Sequence, residues 1–179
     1  LEYDWLGNLA SSDDDAHGFY DRSLGTQTHA SGKPYQLTSA TNTGRGGVEG
    51  SLSAQYDDAG NLTTLIVTRS TTTAIPCSST GNGCSHLYRY TYDEVGRLVQ
   101  ARRWDSTSSN PSTVAALSGN PTAELRYRYD ANDQRVIKRK VFPILPPPSN
   151  ESTERHTIYV FDSLELRRTT YSSSSQRYA

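Results

Sequence analysis

Tyr56-Asp57-Asp58-Ala59-Gly60-Asn61-Leu62 and Tyr92-Asp93-Glu94-Val95-Gly96-Arg97-Leu98 are one pattern written twice, Tyr-Asp-x-x-Gly-(Asn/Arg)-Leu. The same pattern opens the chain as Tyr3-Asp4-Trp5-Leu6-Gly7-Asn8-Leu9. Tyr129-Asp130-Ala131-Asn132-Asp133-Gln134-Arg135-Val136 is a degenerate fourth copy, with Asp133 in the glycine's place. Phe161-Asp162-Ser163-Leu164-Glu165-Leu166 reads as a fifth, further decayed. Each recurring place has a physical reason. An aspartate after an incoming strand accepts backbone N–H groups in an Asx-type turn. A glycine at the fifth place supplies the positive φ that closes a hairpin. Aspartate tolerates that conformation less well than glycine, though better than most residues.

Working outward, the flanks alternate as strands do. Tyr88, Tyr90 and Tyr92 fall on one face, Arg89 and Thr91 on the other. The expected register pairs Tyr56 with Leu62 and Tyr92 with Leu98, and lets Leu52 and Tyr56 meet Leu62 and Ile66. Twelve tyrosines against three phenylalanines suit a β-surface that is part buried and part wet. Long helix-forming stretches are missing. The expected fold class is all-β: antiparallel β-hairpin repeats over residues 1–179 as a single repeat region, with cores near 3–9, 56–62, 92–98, 129–136 and 161–166.

The copies start 53, 36, 37 and 32 residues apart, and the extra length falls in polar segments. Asp13–Asp15, Thr41–Gly50, Thr71–Ser85, Asp105–Pro121 and Pro143–Glu154 read as loops, with a short helical turn expected at Val114–Leu117. Cys77 and Cys84 flank a Gly- and Asn-containing tip. In an oxidising compartment they could close a short disulfide loop; otherwise they stay as thiols. With His86 they make three metal-ligating groups, one short of a structural zinc set. The strand arginines Arg89, Arg102, Arg103, Arg126 and Arg128 are expected to solvate exposed faces. The chain begins at Leu1 and holds no methionine, which reads as a piece of a longer protein.

Repeated Tyr-Asp-x-x-Gly-(Asn/Arg)-Leu resembles the YD repeat of RHS proteins. Tyr127–Val136 and Thr157–Leu166 also resemble stretches that follow one another there. The likeness covers Leu1 to about Tyr171. It implies a long spiral of hairpins winding into a hollow shell, an RHS-type β-spiral with long polar loops. In the family such shells enclose a C-terminal toxin, and animal teneurins use a similar barrel for adhesion. The implied role is structural: a shell segment of a secreted or cell-surface bacterial toxin-delivery protein. Its partners would be the remaining RHS repeats of the parent chain and a C-terminal effector domain. The alternative is a cell-surface or carbohydrate-binding adhesion module, whose partners would be glycans or a target-cell surface. The family's self-cleavage motif contains an Asp-Pro dipeptide, and this chain has none.

The remaining chemistry is sparse. A formal net charge of −1 argues against nucleic acid as a partner. No apolar run approaches the roughly 20 residues of a membrane helix. His17, His29, His86 and His156 lie far apart, and no Gly-x-Ser-x-Gly elbow occurs. Thr43–Gly47 is glycine-rich but lacks the end of a phosphate loop. The Asp13–Asp15 run lacks EF-hand spacing. Asp4, Asp57, Asp93 and Asp130 recur once per hairpin, as turn caps must and a single catalytic constellation does not. No enzyme activity, cofactor or metal is expected. The residues carrying the pattern are Tyr3, Asp4, Gly7, Tyr56, Asp57, Gly60, Tyr92, Asp93, Gly96, Tyr129 and Asp130.

Overall fold

Strands form where the sequence alternates and is rich in Thr, Tyr, Val and Ile. The computed structural model describes residues 2–12, 25–42, 50–69, 85–141, 154–161, 164–172 and 175–178. Its strands are β1 (Glu2–Tyr3), β2 (Leu9–Ser12), β3 (Gly25–Ala30), β4 (Lys33–Asn42), β5 (Gly50–Tyr56), β6 (Leu62–Arg69), β7 (Ser85–Tyr92), β8 (Leu98–Ser106), β9 (Ala123–Tyr129), β10 (Arg135–Val141), β11 (Glu154–Phe161), β12 (Leu164–Thr169), β13 (Tyr171–Ser172) and β14 (Arg177–Tyr178). The fold is all-β and antiparallel. β1 to β12 pair in the order of the chain, and β13 pairs with β14. The one helix among the described residues, α1 (Pro111–Ala115), begins where Asn110-Pro111 supplies an N-cap and a preset φ. The Asn110 side chain accepts from the Ser112 N–H at 2.9 Å. The helical turn expected at Val114–Leu117 therefore starts three residues earlier.

The chain divides into two compact units, Leu1–Tyr88 with Asp105–Leu117, and Arg89–Trp104 with Ser118–Ala179; β7 and β8 contribute to both. In the first unit, Ala40, Ala54, Ile66, Leu87 and Val114 are buried, and α1 lies against β6. Thr68 is buried among them, its hydroxyl 2.6 Å from that of Ser51. Among the described residues of the second unit, Trp104 is the buried apolar side chain, with Glu124 and His156 as buried polar ones. Six buried hydrophobic residues make a thin core among the described residues. Much of the order must then come from the ladders and from side chains that fasten one hairpin to the next.

The 53-residue gap between the first two copies holds a hairpin without the motif. β3 and β4 turn through Ser31-Gly32, with φ +74° at Gly32 and Ala30 opposite Lys33. The fifth copy is likewise a hairpin of another kind. Phe161 pairs with Leu164, and Leu166 pairs with Ile158. Its connection is therefore shorter than that of the other copies. Cys77, Cys84, Asp13–Asp15, residues 43–47, His17, Asp162 and Ser163 lie outside the described residues.

The motif also encodes a bulge. Tyr3 pairs with Leu9 but Glu2 with Ser11; Tyr56 pairs with Leu62 but Gln55 with Thr64; Tyr129 pairs with Arg135 but Arg128 with Ile137. In each case the eighth residue, Ala10, Thr63 or Val136, has no opposite number. One extra residue bends and twists the strand beside the turn. It also changes the register beyond it. Leu52 lies opposite Val67, and Ile66 opposite Ser53, so the expected meeting of Leu52 with Ile66 does not occur.

Candidate functional site

The feature built most completely from the sequence is the turn itself, and it recurs with one geometry. Asp57 N–H donates to the Asn61 carbonyl and Gly60 N–H to the Asp57 carbonyl, both at 3.0 Å. The same two bonds join Asp4, Gly7 and Asn8; Asp93, Gly96 and Arg97; and Asp130, Asp133 and Gln134. One carboxylate oxygen of each aspartate then accepts the backbone N–H four residues on, at 2.8–2.9 Å, from Asn8, Asn61, Arg97 and Gln134. The other oxygen accepts from the side chain at the same place: Asn8 Nδ2, Asn61 Nδ2 or Arg97 Nε. This explains why Asn or Arg occupies the sixth position. Both carry a donor that reaches back to the aspartate.

The glycine's φ is +83° at Gly7, +91° at Gly60 and +83° at Gly96, and Asp133 sits at +63°. The fourth copy thus keeps the shared turn with a non-glycine residue. Gly60→Val is expected to destabilise the chain by at least about 1–2 kcal/mol, because left-handed backbone is costly to a β-branched residue. A Cβ there meets only Gln36 Nε2, at 3.2 Å, a flexible end that can move, so the strain lies in the backbone. Asp133→Gly is expected to change stability by less than about 1 kcal/mol, as relief of φ strain is offset by unfolded-state entropy and by loss of the exposed ion pair with Arg97. Urea melts of the two variants check both values.

The carboxylates respond electrostatically. Asn8 and Asn61 side-chain donation, with backbone N–H bonds, holds Asp4 and Asp57 below the ordinary aspartate range. Asp93 is lowered chiefly by the Arg97 backbone N–H, and by its guanidinium. A carboxylate with a lower pKa folded than unfolded stabilises the fold above the unfolded value and loses that as pH falls through the folded value. The urea midpoint is therefore expected to hold down to about pH 4 and to decline below it. Asp57→Asn is expected to shrink that decline, as a pH series of melts shows.

The motif's side chains also reach neighbouring hairpins. Tyr56 Oη donates to the Leu37 carbonyl at 3.0 Å, and Tyr129 Oη to the Leu98 carbonyl at 2.9 Å. Both carbonyls lie on the strand that leaves the preceding turn. Asn8 Nδ2 donates forward to the Pro34 carbonyl at 3.0 Å. Arg97 reaches Asp133 in the fourth turn and stacks 5.1 Å from the Tyr129 ring centroid. Tyr88, Tyr90 and Tyr92 are half-buried.

Two groupings outside the motif were not legible in the sequence. Arg89 and Arg102, expected on solvated faces, are half-buried and lie 5.3 and 5.5 Å from the Trp104 ring centroid, as cations over an indole. Arg103 is half-buried too, whereas Arg126 and Arg128 are exposed. Arg126 pairs with the buried Glu124 at 2.6 Å, and Gln100 donates to the same carboxylate at 2.8 Å. His86 Nδ1 lies 2.8 Å from Asp105 Oδ1 in a polar pair. No group of three His, Cys, Asp or Glu side chains fit for a metal occurs among the described residues. No helix among them is long and apolar enough to cross a membrane. No protein-family model matches the chain, and no curated protein matches it.

Proposed function

We propose that the chain is a structural segment of a YD-repeat shell in a secreted or exported RHS-type protein, enclosing or presenting an effector encoded beyond it. The observation that carries this reading is the fastening of hairpin to hairpin by the motif's own side chains: Tyr56 and Tyr129 backward, Asn8 and Arg97 forward. Side chains repeated for that purpose suit a protein whose units are each completed by their neighbours. The shell reading assigns them no chemistry. The test is the product of the whole parent gene. A distinct C-terminal domain that resists protease while the hairpin region is intact, and is degraded once that region is opened, is the expected result. A parent protein in which every added domain is cleaved as fast as it is alone contradicts the reading.

A second reading, a carbohydrate-binding adhesion module, is favoured by three exposed aromatic rings. Tyr3 is 62%, Trp5 91% and Tyr35 76% exposed. Trp5 lies in the turn that Asn8 ties to Pro34, the neighbour of Tyr35. Since the other tryptophan, Trp104, is buried, saturable quenching or blue shift of tryptophan fluorescence by a glycan, abolished in Trp5→Ala, would support this reading over the first.

A further inference from the structure

The chain's near-neutral charge conceals a segregation. The second unit carries 14 of the 18 Lys and Arg residues but 9 of the 19 Asp and Glu; the first carries 4 and 10. Within the second unit, the strand registers put five of these cations on one face of β9–β12, while Arg126, Arg128 and Arg139 lie on the other. Lys140 lies opposite Leu125 on β9 and opposite Arg155 on β11; Lys138 lies opposite Tyr127 and Thr157; Arg135 lies opposite Tyr129. Tyr159, on the face of Arg155, lies opposite Glu165, which takes two hydrogen bonds from Arg167. Arg135, Lys138, Lys140, Arg155 and Arg167 thus share a face on which Glu165 is the one carboxylate among the described residues of β9–β12. All but Lys138 are exposed, and Lys138 is half-buried.

We infer that this face of β9–β12 binds an extended acidic peptide segment through its carboxylates. Alternate residues of β10 present Lys138 and Lys140 about 7 Å apart, the spacing of alternate side chains on an extended peptide. Arg135 offers a planar fork that suits a carboxylate, whereas the fork of Arg167 is held by Glu165. The aromatic rings of the face argue against bases or sugars as the ligand. Arg135 lies 5.6 Å from the Tyr127 ring centroid and 4.7 Å from that of Tyr159, so its guanidinium already occupies the space over both rings. What the face offers a partner is charge and hydrogen-bond donors, not a stacking platform. The inference goes beyond the shell reading and stands whether or not that reading holds.

The test is anisotropy of a short fluorescein-labelled polyglutamate peptide titrated with the 179-residue chain, with oligothymidylate and heparin titrated in parallel. Saturable binding that weakens steeply with added salt is expected. Lys138→Glu with Lys140→Glu should weaken it roughly tenfold or more, and Lys138→Gln with Lys140→Gln by less, while Lys33→Glu in the first unit leaves it unchanged. The neutral pair separates loss of charge from loss of fold, since circular dichroism of that variant should match the parent chain. Absence of saturable peptide binding overturns the inference. So does an equal loss in Lys33→Glu, or tighter binding of oligothymidylate or heparin than of the peptide at the same salt.

Discussion

Trp104→Ala is expected to lower stability by about 3–5 kcal/mol, the usual cost of deleting a large buried aromatic. Trp104 is 5% exposed and is the buried apolar side chain among the described residues of its unit. Its ring also carries Arg89 and Arg102 at 5.3 and 5.5 Å, and its indole N–H donates to the Gly119 carbonyl at 3.3 Å. Removing the ring opens a cavity, strips both cations of their π partner and leaves that carbonyl without its donor. Against a typical total of about 5–15 kcal/mol, the loss is a large fraction. Trp104→Phe keeps most of the volume and gives up the N–H bond, so a cost of about 1–2 kcal/mol is expected. Trp5→Ala is the internal comparison. Trp5 is 91% exposed, and its removal should change stability by less than about 0.5 kcal/mol. Equal losses for Trp104→Ala and Trp5→Ala in urea melts would contradict the burial described for the two rings.

Gly25→Ala is expected to cost roughly 2–5 kcal/mol, combining left-handed strain with overpacking. Gly25 opens β3 with φ +60°. A Cβ there would overlap the Thr41 carbonyl oxygen and lie 2.8 Å from Asn42 Cα. The obstruction is backbone on β4, which cannot swing aside as a side chain can. The strands must separate at that end, where Thr26 pairs with Thr41. Hydrogen exchange locates the damage. Amides of Thr26 to Thr28 and Ser39 to Thr41 should lose protection, while those of Ser53 to Gln55 on β5 keep theirs. Uniform loss across β3 to β6 would mean that these hairpins melt as one unit.

How far the sequence could be read divides along physical lines. The turns were legible because their chemistry needs particular residues: an aspartate to accept N–H groups, and a glycine for φ near +90°. The pairing of Tyr56 with Leu62 followed from them. The bulge did not, because its residue, Ala10, Thr63 or Val136, needs only to be skipped, and any side chain can be skipped. The β3–β4 hairpin escaped notice because a two-residue Ser31-Gly32 turn carries one glycine and no Tyr-Asp. Its signal was the Ser-Gly dipeptide between alternating stretches. Asn110-Pro111 was likewise a helix start inside a segment that reads as loop. The arginines misled because charge alone says solvent. Arg89 and Arg102 instead lie over an indole, a placement set by a tertiary neighbour that local pattern does not reveal. The segregation of charge was hidden by a formal total of −1, which averages an acidic unit with a basic one.

The central claim is that one Asp-clamped turn with left-handed backbone at its fifth residue repeats along the chain, even where glycine is replaced. The most direct measurement is the backbone φ at Gly7, Gly60, Gly96 and Asp133, from NMR chemical shifts and scalar couplings of the isotope-labelled chain. The account predicts positive φ at all four, near +83°, +91°, +83° and +63°. Negative φ at Gly60 and Gly96 would contradict it, since the glycine would then have no conformational reason to recur.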